Sequence, residues 1–267
     1  MTTSLFLTDI GLNLASAQFA RDRTEVLARG RAAGVGRFIL TGVTLQSSDE
    51  SAALCEHLGG PNDCYYTAGV HPHYANTLDK AGLERLRRLL RHPRAVAVGE
   101  TGLDYFRDLS PRAVQRKGFE AQIAIAIESG KPLFLHERQA HDDFLAVLDS
   151  FGQQLPASVV HCFTGDEVEA ARYIERDFYL GITGWVGQRK RNAALLRALK
   201  VIPLDRILLE TDAPYLMPDA YVPPQPRRNE PAAMLLVAQL VADAKKVPVG
   251  ELVAQVEENT CRFFQFG

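Results

Sequence analysis

The feature that most narrows the fold of this chain is a count. Eight short runs rich in β-branched and aliphatic residues recur along it, each followed by a turn signal and then a longer stretch with helical spacing. The runs are Leu5–Asp9, Phe38–Thr41, Tyr65–Val70, Ala95–Glu100, Pro132–His136, Ser158–Phe163, Tyr179–Gly184 and Ile207–Asp212. Helical spacing predicts helices over Ala17–Ala33, Asp49–Leu58, Asp79–His92, Pro111–Ser129, Gln139–Phe151, Asp166–Arg176, Arg189–Leu199, Pro231–Ala244 and Val249–Phe264. The stretch Pro111–Ser129 has the clearest grammar, with Ser110 as N-cap, Pro111 at the first helical position and Gly130 just past the end. Strand–helix alternation joins parallel strands through right-handed crossovers. No linker interrupts it, because Pro223-Pro224-Gln225-Pro226 reads as an ordered loop after the eighth run. The expectation is an α/β chain forming a single (β/α)8 TIM-barrel domain over residues 1–267.

A doubly wound open sheet has the same alternation, and the placement of polar residues decides against it. Buried parallel strands should be continuously apolar, yet five of these runs end in a metal- or proton-competent group: His71, Glu100, His136, His161 and Asp212. A barrel gathers the C-terminal ends of its strands into one mouth, whereas strands at opposite edges of an open sheet cannot converge. An ionisable group after an apolar run is costly to bury unless it is paired or metal-bound. Strand alternation would also turn Glu210 and Asp212 the same way. Two imidazoles with Glu100 and Asp212 make a mixed N/O donor set suited to Zn²⁺ or Mn²⁺, or to Mg²⁺ if water completes the shell. A lone strand-end histidine is more often structural, but several on different strands outweigh that reading. In Val70-His71-Pro72-His73, one imidazole can face the mouth while the other lies outside; His71 is placed nearer the site than His73. His57, His92 and His141 read as solvated surface.

Several function classes fall away. Lys plus Arg is 30 against 32 for Asp plus Glu, so the net charge of −2 supplies no global field for a polyanion, and any nucleic-acid contact must be local. No Gly-rich phosphate loop follows the first run. The longest apolar run, Ala232 to Ala238, is far short of the about 20 residues that a membrane-spanning helix needs. The N-terminus lacks the basic region of a secretion signal, and four scattered cysteines without a CxxC pair suit a reducing, cytoplasmic setting. No heptad seam or apolar stripe announces a partner subunit, so a monomer without obligate protein partner is expected. Cys162 should point away from His161 and pack in the core.

Cations and aromatic rings do gather near the same strand ends: Arg138, Tyr105, Trp185, and Arg227 with Arg228 in the loop after the eighth run. Phosphate-binding guanidinium groups with stacking faces are what a single-stranded nucleic acid requires.

Whole segments also match a known family. Asp9-Ile10-Gly11-Leu12-Asn13-Leu14, Thr67-Ala68-Gly69-Val70-His71-Pro72-His73, Val98-Gly99-Glu100-Thr101-Gly102-Leu103-Asp104-Tyr105, His161-Cys162-Phe163-Thr164-Gly165, Gly181-Ile182-Thr183-Gly184-Trp185, Glu210-Thr211-Asp212-Ala213-Pro214-Tyr215-Leu216 and Arg227-Arg228-Asn229-Glu230-Pro231 resemble the TatD family of metal-dependent deoxyribonucleases. The resemblance implies a TIM barrel, Mg²⁺ dependence and 3′-to-5′ exonuclease action on single-stranded DNA or RNA, in DNA repair or nucleic-acid turnover. It implies metal-site roles for Glu100, His136, His161 and Asp212, with His71 close to substrate or metal. Many members carry His-x-His after the first strand, where this chain has Gly11 and Asn13; losing two imidazoles weakens one position of a two-metal site. On this reading Glu100, Asp212, Glu210 and His71 are the catalytic candidates, with Asp212 or Glu210 taking a proton, and Arg138, Arg227, Arg228, Trp185 and Tyr105 bind substrate. Two other classes compete: a metal-dependent amidohydrolase or lactonase acting on a small cyclic substrate, and a nucleic-acid-binding barrel without catalysis.

Overall fold

The computed structural model describes residues 6–60 and 62–266, so Leu5, the first residue of the run Leu5–Asp9, lies outside the described part. Eight strands form one sheet whose order follows the chain: β1 (Leu7–Leu12), β2 (Val35–Leu40), β3 (Cys64–Ala68), β4 (Ala95–Asp104), β5 (Leu133–Arg138), β6 (Ser158–Val160), β7 (Tyr179–Ile182) and β8 (Ile207–Leu209). The ladders β1–β2, β3–β4, β4–β5, β5–β6 and β7–β8 are all parallel. A parallel bridge between Leu12 and Ala213 links β1 to the segment after β8, and the Asp212 N–H donates to the Gly11 carbonyl at 2.8 Å. Sequential parallel strands with the first beside the last define a (β/α)8 TIM barrel.

Helices follow the strands: α1 (Arg23–Ala32), α2 (Leu45–Leu58), α3 (Lys80–Leu90), α4 (Arg112–Ser129), α5 (His141–Asp149), α6 (Glu167–Ile174), α7 (Ala193–Val201), α8 (Met234–Lys245) and α9 (Val249–Phe264). The described residues group into two compact units. One holds β1, β2, β7 and β8 with α1 and α6 to α9; the other holds β3 to β6 with α2 to α5.

Within the second unit, every residue of β4 is buried, as a strand covered on both faces requires. Burial in β5 loosens only at its C-terminal end, where His136, Glu137 and Arg138 are partly exposed. The C-cap Gly130 adopts the left-handed conformation expected of it, with φ of 64°. The start of α4 differs from expectation: Pro111 is the N-cap, and the Ser110 hydroxyl instead donates to the His73 carbonyl at 3.0 Å. A long-range acceptor displaced the local cap, and it ties the His73 backbone to the base of α4.

In the first unit, the expected helix over Ala17–Ala33 splits into a short 3-10 turn, Ala17–Phe19, and α1. The eighth run is also shorter than expected. β8 stops at Leu209, and Asp212 takes a positive φ of 53°, so strict alternation does not carry through Glu210 and Asp212.

Candidate metal centre

Four elements of the second unit converge on one carboxylate oxygen. Glu100, on β4, presents Oε1 to Nδ1 of His136 at 2.9 Å and Nε2 of His161 at 2.9 Å. Nε2 of His71 lies 3.4 Å from the same oxygen. His136 comes from β5, His161 directly follows β6, and His71 follows β3. The Phe134 ring stacks on His161 with centroids 4.8 Å apart, which fixes the plane of that imidazole. One donor atom each from His71, Glu100 and His136 falls within 4.8 Å of the others.

The row continues past His136. Its Nε2 lies 3.0 Å from Oδ2 of Asp104, and the same oxygen is 2.9 Å from Nε2 of His73. His161, Glu100, His136, Asp104 and His73 thus form one chain of alternating imidazoles and carboxylates. The other Asp104 oxygen accepts the Arg107 N–H at 2.7 Å.

Two buried glutamines of α4, one at each end of the site, hold this backbone in place. Gln115 accepts the Asp104 N–H at 2.9 Å and donates to the Asp104 carbonyl at 3.2 Å. Gln122 accepts the Val70 N–H at 2.7 Å and donates to the Val70 carbonyl at 3.0 Å and to the Thr101 hydroxyl at 2.7 Å. A buried amide that satisfies backbone groups on both sides costs little and rigidifies what it binds. Gly102 is required where β4 meets β5: its φ is 147°, and a Cβ there would run into the His136 carbonyl.

The electrostatics follow from the pairing. Burial pushes the Glu100 carboxyl up, but the His161 and His71 imidazoles and hydrogen bonds from His136 and His161 hold it well below the usual carboxylate range. Asp104 behaves alike: burial raises it, and the His136 and Arg107 contacts more than reverse that. Burial alone would lower His136, yet its hydrogen bonds to Asp104 and Glu100 leave it above the ordinary histidine value. His71 is pushed down to about 3, first by burial and then by the neighbouring His136, so its ring is neutral and carries a lone pair at working pH. His136, bridging two carboxylates, is the proton that an incoming cation would replace. The donor set therefore fits a divalent cation: ionised carboxylates, the neutral His71 imidazole and one exchangeable proton on His136.

The first unit carries the remaining carboxylates. Glu210 is fully buried and accepts the Cys162 N–H at 2.5 Å. Its other oxygen occupies the space that a Cβ on Gly11 would need, which explains the glycine at that position of β1. Asn13 donates to Oδ1 of Asp212 at 2.8 Å. The place of a first-strand imidazole pair is thus filled by a glycine making room for Glu210 and an amide holding Asp212. Asp9, buried in β1, accepts from the Thr211 N–H at 2.9 Å and the Thr211 hydroxyl at 2.5 Å. Burial, with a smaller contribution from Glu210, pushes it up to about 7 despite those hydrogen bonds.

The substrate-binding expectations divide. Arg227 is exposed and Arg138 half-buried, its guanidinium 5.4 Å from the Phe106 ring centroid. Tyr105 donates its hydroxyl to Asp143 at 2.8 Å, and the Arg112 guanidinium covers one face of its ring at 4.1 Å. Arg228 and Trp185 lie deeper. Arg228 is only 7% exposed and bonds Asp22 through both terminal nitrogens, at 2.8 and 2.6 Å, and Glu230 at 2.7 Å. Trp185 is 8% exposed, its indole N–H donates to the Arg191 carbonyl, and the Arg191 guanidinium lies 3.9 Å over its ring. Both are drawn inward by partners, distant or local, that composition does not reveal. His141, expected at the surface, is largely buried with Nδ1 4.0 Å from Oε2 of Glu137, four residues back on β5. Sequence reasoning missed Asp104, Gln115, Gln122 and Asp9. Asp104 had a signal, since it shares the β4 face of Glu100 at an even spacing.

A TIM barrel whose strand ends bring imidazoles and carboxylates together in this way defines the class of metal-dependent hydrolases. The model of the family TatD related DNase matches residues 8–265, and the chain belongs to that family. Among curated relatives, the "3'-5' ssDNA/RNA exonuclease TatD" of Cronobacter turicensis is 46% identical over 96% of this chain and 97% of its own length. The protein of the same name from Musicola paradisiaca is 43% identical over 97% of this chain and 98% of its own. A crystal structure of a TatD homologue from Escherichia coli k12 superposes with a TM-score of 0.88 at 26% identity, covering 98% of each chain. Among the described residues no helix is long and apolar enough to cross a membrane.

Proposed function

We propose that the chain is a metal-dependent 3′-to-5′ exonuclease that hydrolyses phosphodiester bonds of single-stranded DNA, and of RNA, with Mg²⁺ as its cation. The observation that carries the reading is the Glu100 oxygen with three imidazole nitrogens within 3.4 Å. The names of the curated relatives support the substrate and the polarity.

Glu100, His136 and His161 would hold the cation, with His71 beside them and Asp212 as a further carboxylate ligand. Bound there, a divalent cation polarises the phosphodiester and activates water for attack. Asp212 or Glu210 accepts the proton of the attacking water. Neutral His71 orients a phosphoryl oxygen or completes the donor set. Arg138 and Arg227 offset charge on the phosphate, and the Tyr105 ring stacks a terminal base. So few cations imply a short footprint with marked salt sensitivity. We assign residues 1–267 to one catalytic domain acting as a cytoplasmic monomer in DNA repair or nucleic-acid turnover.

The test is hydrolysis of single-stranded DNA labelled at either end by chelator-stripped protein, before and after Mg²⁺ is restored. Mononucleotides should leave from the 3′ end only when Mg²⁺ is present. Glu100→Gln should lower turnover by about a thousandfold, with DNA affinity retained. Cation-independent cleavage, or none with Mg²⁺, Mn²⁺ or Zn²⁺, overturns the proposal.

A further inference from the structure

The row of groups in the second unit does not end at the centre on Glu100, and its outer end repeats the same donor chemistry. Asp104 is 3% exposed, with one oxygen pinned by the Arg107 N–H. Its second oxygen lies 2.9 Å from Nε2 of His73 and 3.0 Å from Nε2 of His136. The His73 side chain is 23% exposed, so this end of the row meets solvent while Glu100, at 7%, does not. Ser110 and Gln115 hold the backbones of both residues, so the pair is built rather than incidental. The His71 ring lies 4.2 Å from His73 and 4.2 Å from His136, and one donor atom each from His71, His73 and Asp104 falls within 4.8 Å of the others.

We infer that His73 and Asp104, beside His71, form a second, solvent-facing divalent-cation site next to the one centred on Glu100. The inference rests on the proposed metal centre. His71-Pro72-His73 places two imidazoles on one short turn. His71 does not serve both ions equally. Its Nδ1 accepts the His73 N–H at 3.1 Å, which leaves Nε2, facing Glu100, for the inner ion. The outer ion then has two firm protein ligands, His73 Nε2 and one Asp104 oxygen. Cations such as Mg²⁺ and Mn²⁺ with few protein ligands complete their shell with water and substrate phosphate oxygens. The outer site is therefore the weaker one, and a nucleotide phosphate strengthens it.

The experiment is Mn²⁺ binding to chelator-stripped full-length protein, read from the electron paramagnetic resonance of free Mn²⁺, with and without a deoxynucleoside monophosphate. Wild type should bind two ions of unequal affinity, the weaker one tightened by the nucleotide. His73→Ala should bind one ion, with inner affinity within about threefold of wild type because no inner ligand has changed. Asp104→Asn, nearly isosteric, should also lose the outer ion, and near-ultraviolet circular dichroism checks that it is folded. Glu100→Gln should lose the tight ion and keep the weak one. A single ion in wild type that is lost in Glu100→Gln but kept in His73→Ala overturns the second site and leaves the inner centre standing. Two ions in His73→Ala, or an Asp104→Asn that weakens only the tight ion, reduces Asp104 to an orienter of His136 and overturns it as well. No bound ion in wild type removes the inner centre first.

Discussion

The two units stabilise buried carboxylates with different partners. In the second unit, Glu100 and Asp104 are matched by imidazoles. In the first, Glu230 is fully buried and held by two guanidinium groups, Arg29 at 2.6 Å and Arg228 at 2.7 Å, with Asp22 joining the network. By burial and distance the two arrangements look alike. They differ in what the partner can do: a guanidinium never gives up its proton and has no lone pair, while an imidazole can exchange its proton for a metal ion. The difference teaches that the partner's chemistry, rather than the presence of buried charge, marks a functional cluster. Asp9 is a third case, in which the carboxyl is met by the Thr211 N–H and hydroxyl and burial pushes it up to about 7.

The largest expected effect tests the guanidinium side. Arg228→Ala leaves the buried Glu230 with a single guanidinium, and stability by denaturant titration should fall by about 3 kcal/mol, with Mn²⁺ stoichiometry unchanged. Loss of bound metal without loss of stability would break the comparison. Next is Gly11→Ala, which drives a methyl group into the Glu210 carboxylate. Thermal unfolding should report a loss of about 1–3 kcal/mol, together with reduced turnover as Glu210 is displaced. A variant with wild-type stability and turnover would show that Glu210 yields freely.

The third effect is a change of slope rather than of level. Asp9 has a folded value of about 7 against 3.8 for the ordinary carboxyl, so its contribution to stability is fully present below 3.8 and is lost as pH rises to 7. Asp9→Asn is neutral throughout, so its denaturation midpoint should vary less across that window than wild type. Equal slopes for the two proteins would return Asp9 to an ionised, cation-matched state and erase the third case.

Much of the site was legible because strand ends are local features. An apolar run stopping at His136, at Glu100 or just before His161 declares a polar group at the rim of a parallel sheet, and those three residues meet as the pattern implied. His71 was legible for the same reason. Asp104 was not singled out, because it lies at the end of a strand longer than its apolar core. The burial of Trp185 and Arg228 was not legible, because a residue's type near a strand end does not reveal whether partners draw it inward; for Arg228 the partner Asp22 lies 206 positions away.

The sequence by itself determined the strand count, the barrel class and the meeting of Glu100, His136 and His161, since alternation and periodicity act over a few residues. Only the tertiary structure decided which charges share partners: that Asp104 joins His136 to His73, that Gly11 yields space to Glu210, and that Arg29 serves Glu230. These are contacts between residues far apart in the chain, and their terms are register, depth and hydrogen-bond geometry. None of these is written in local spacing.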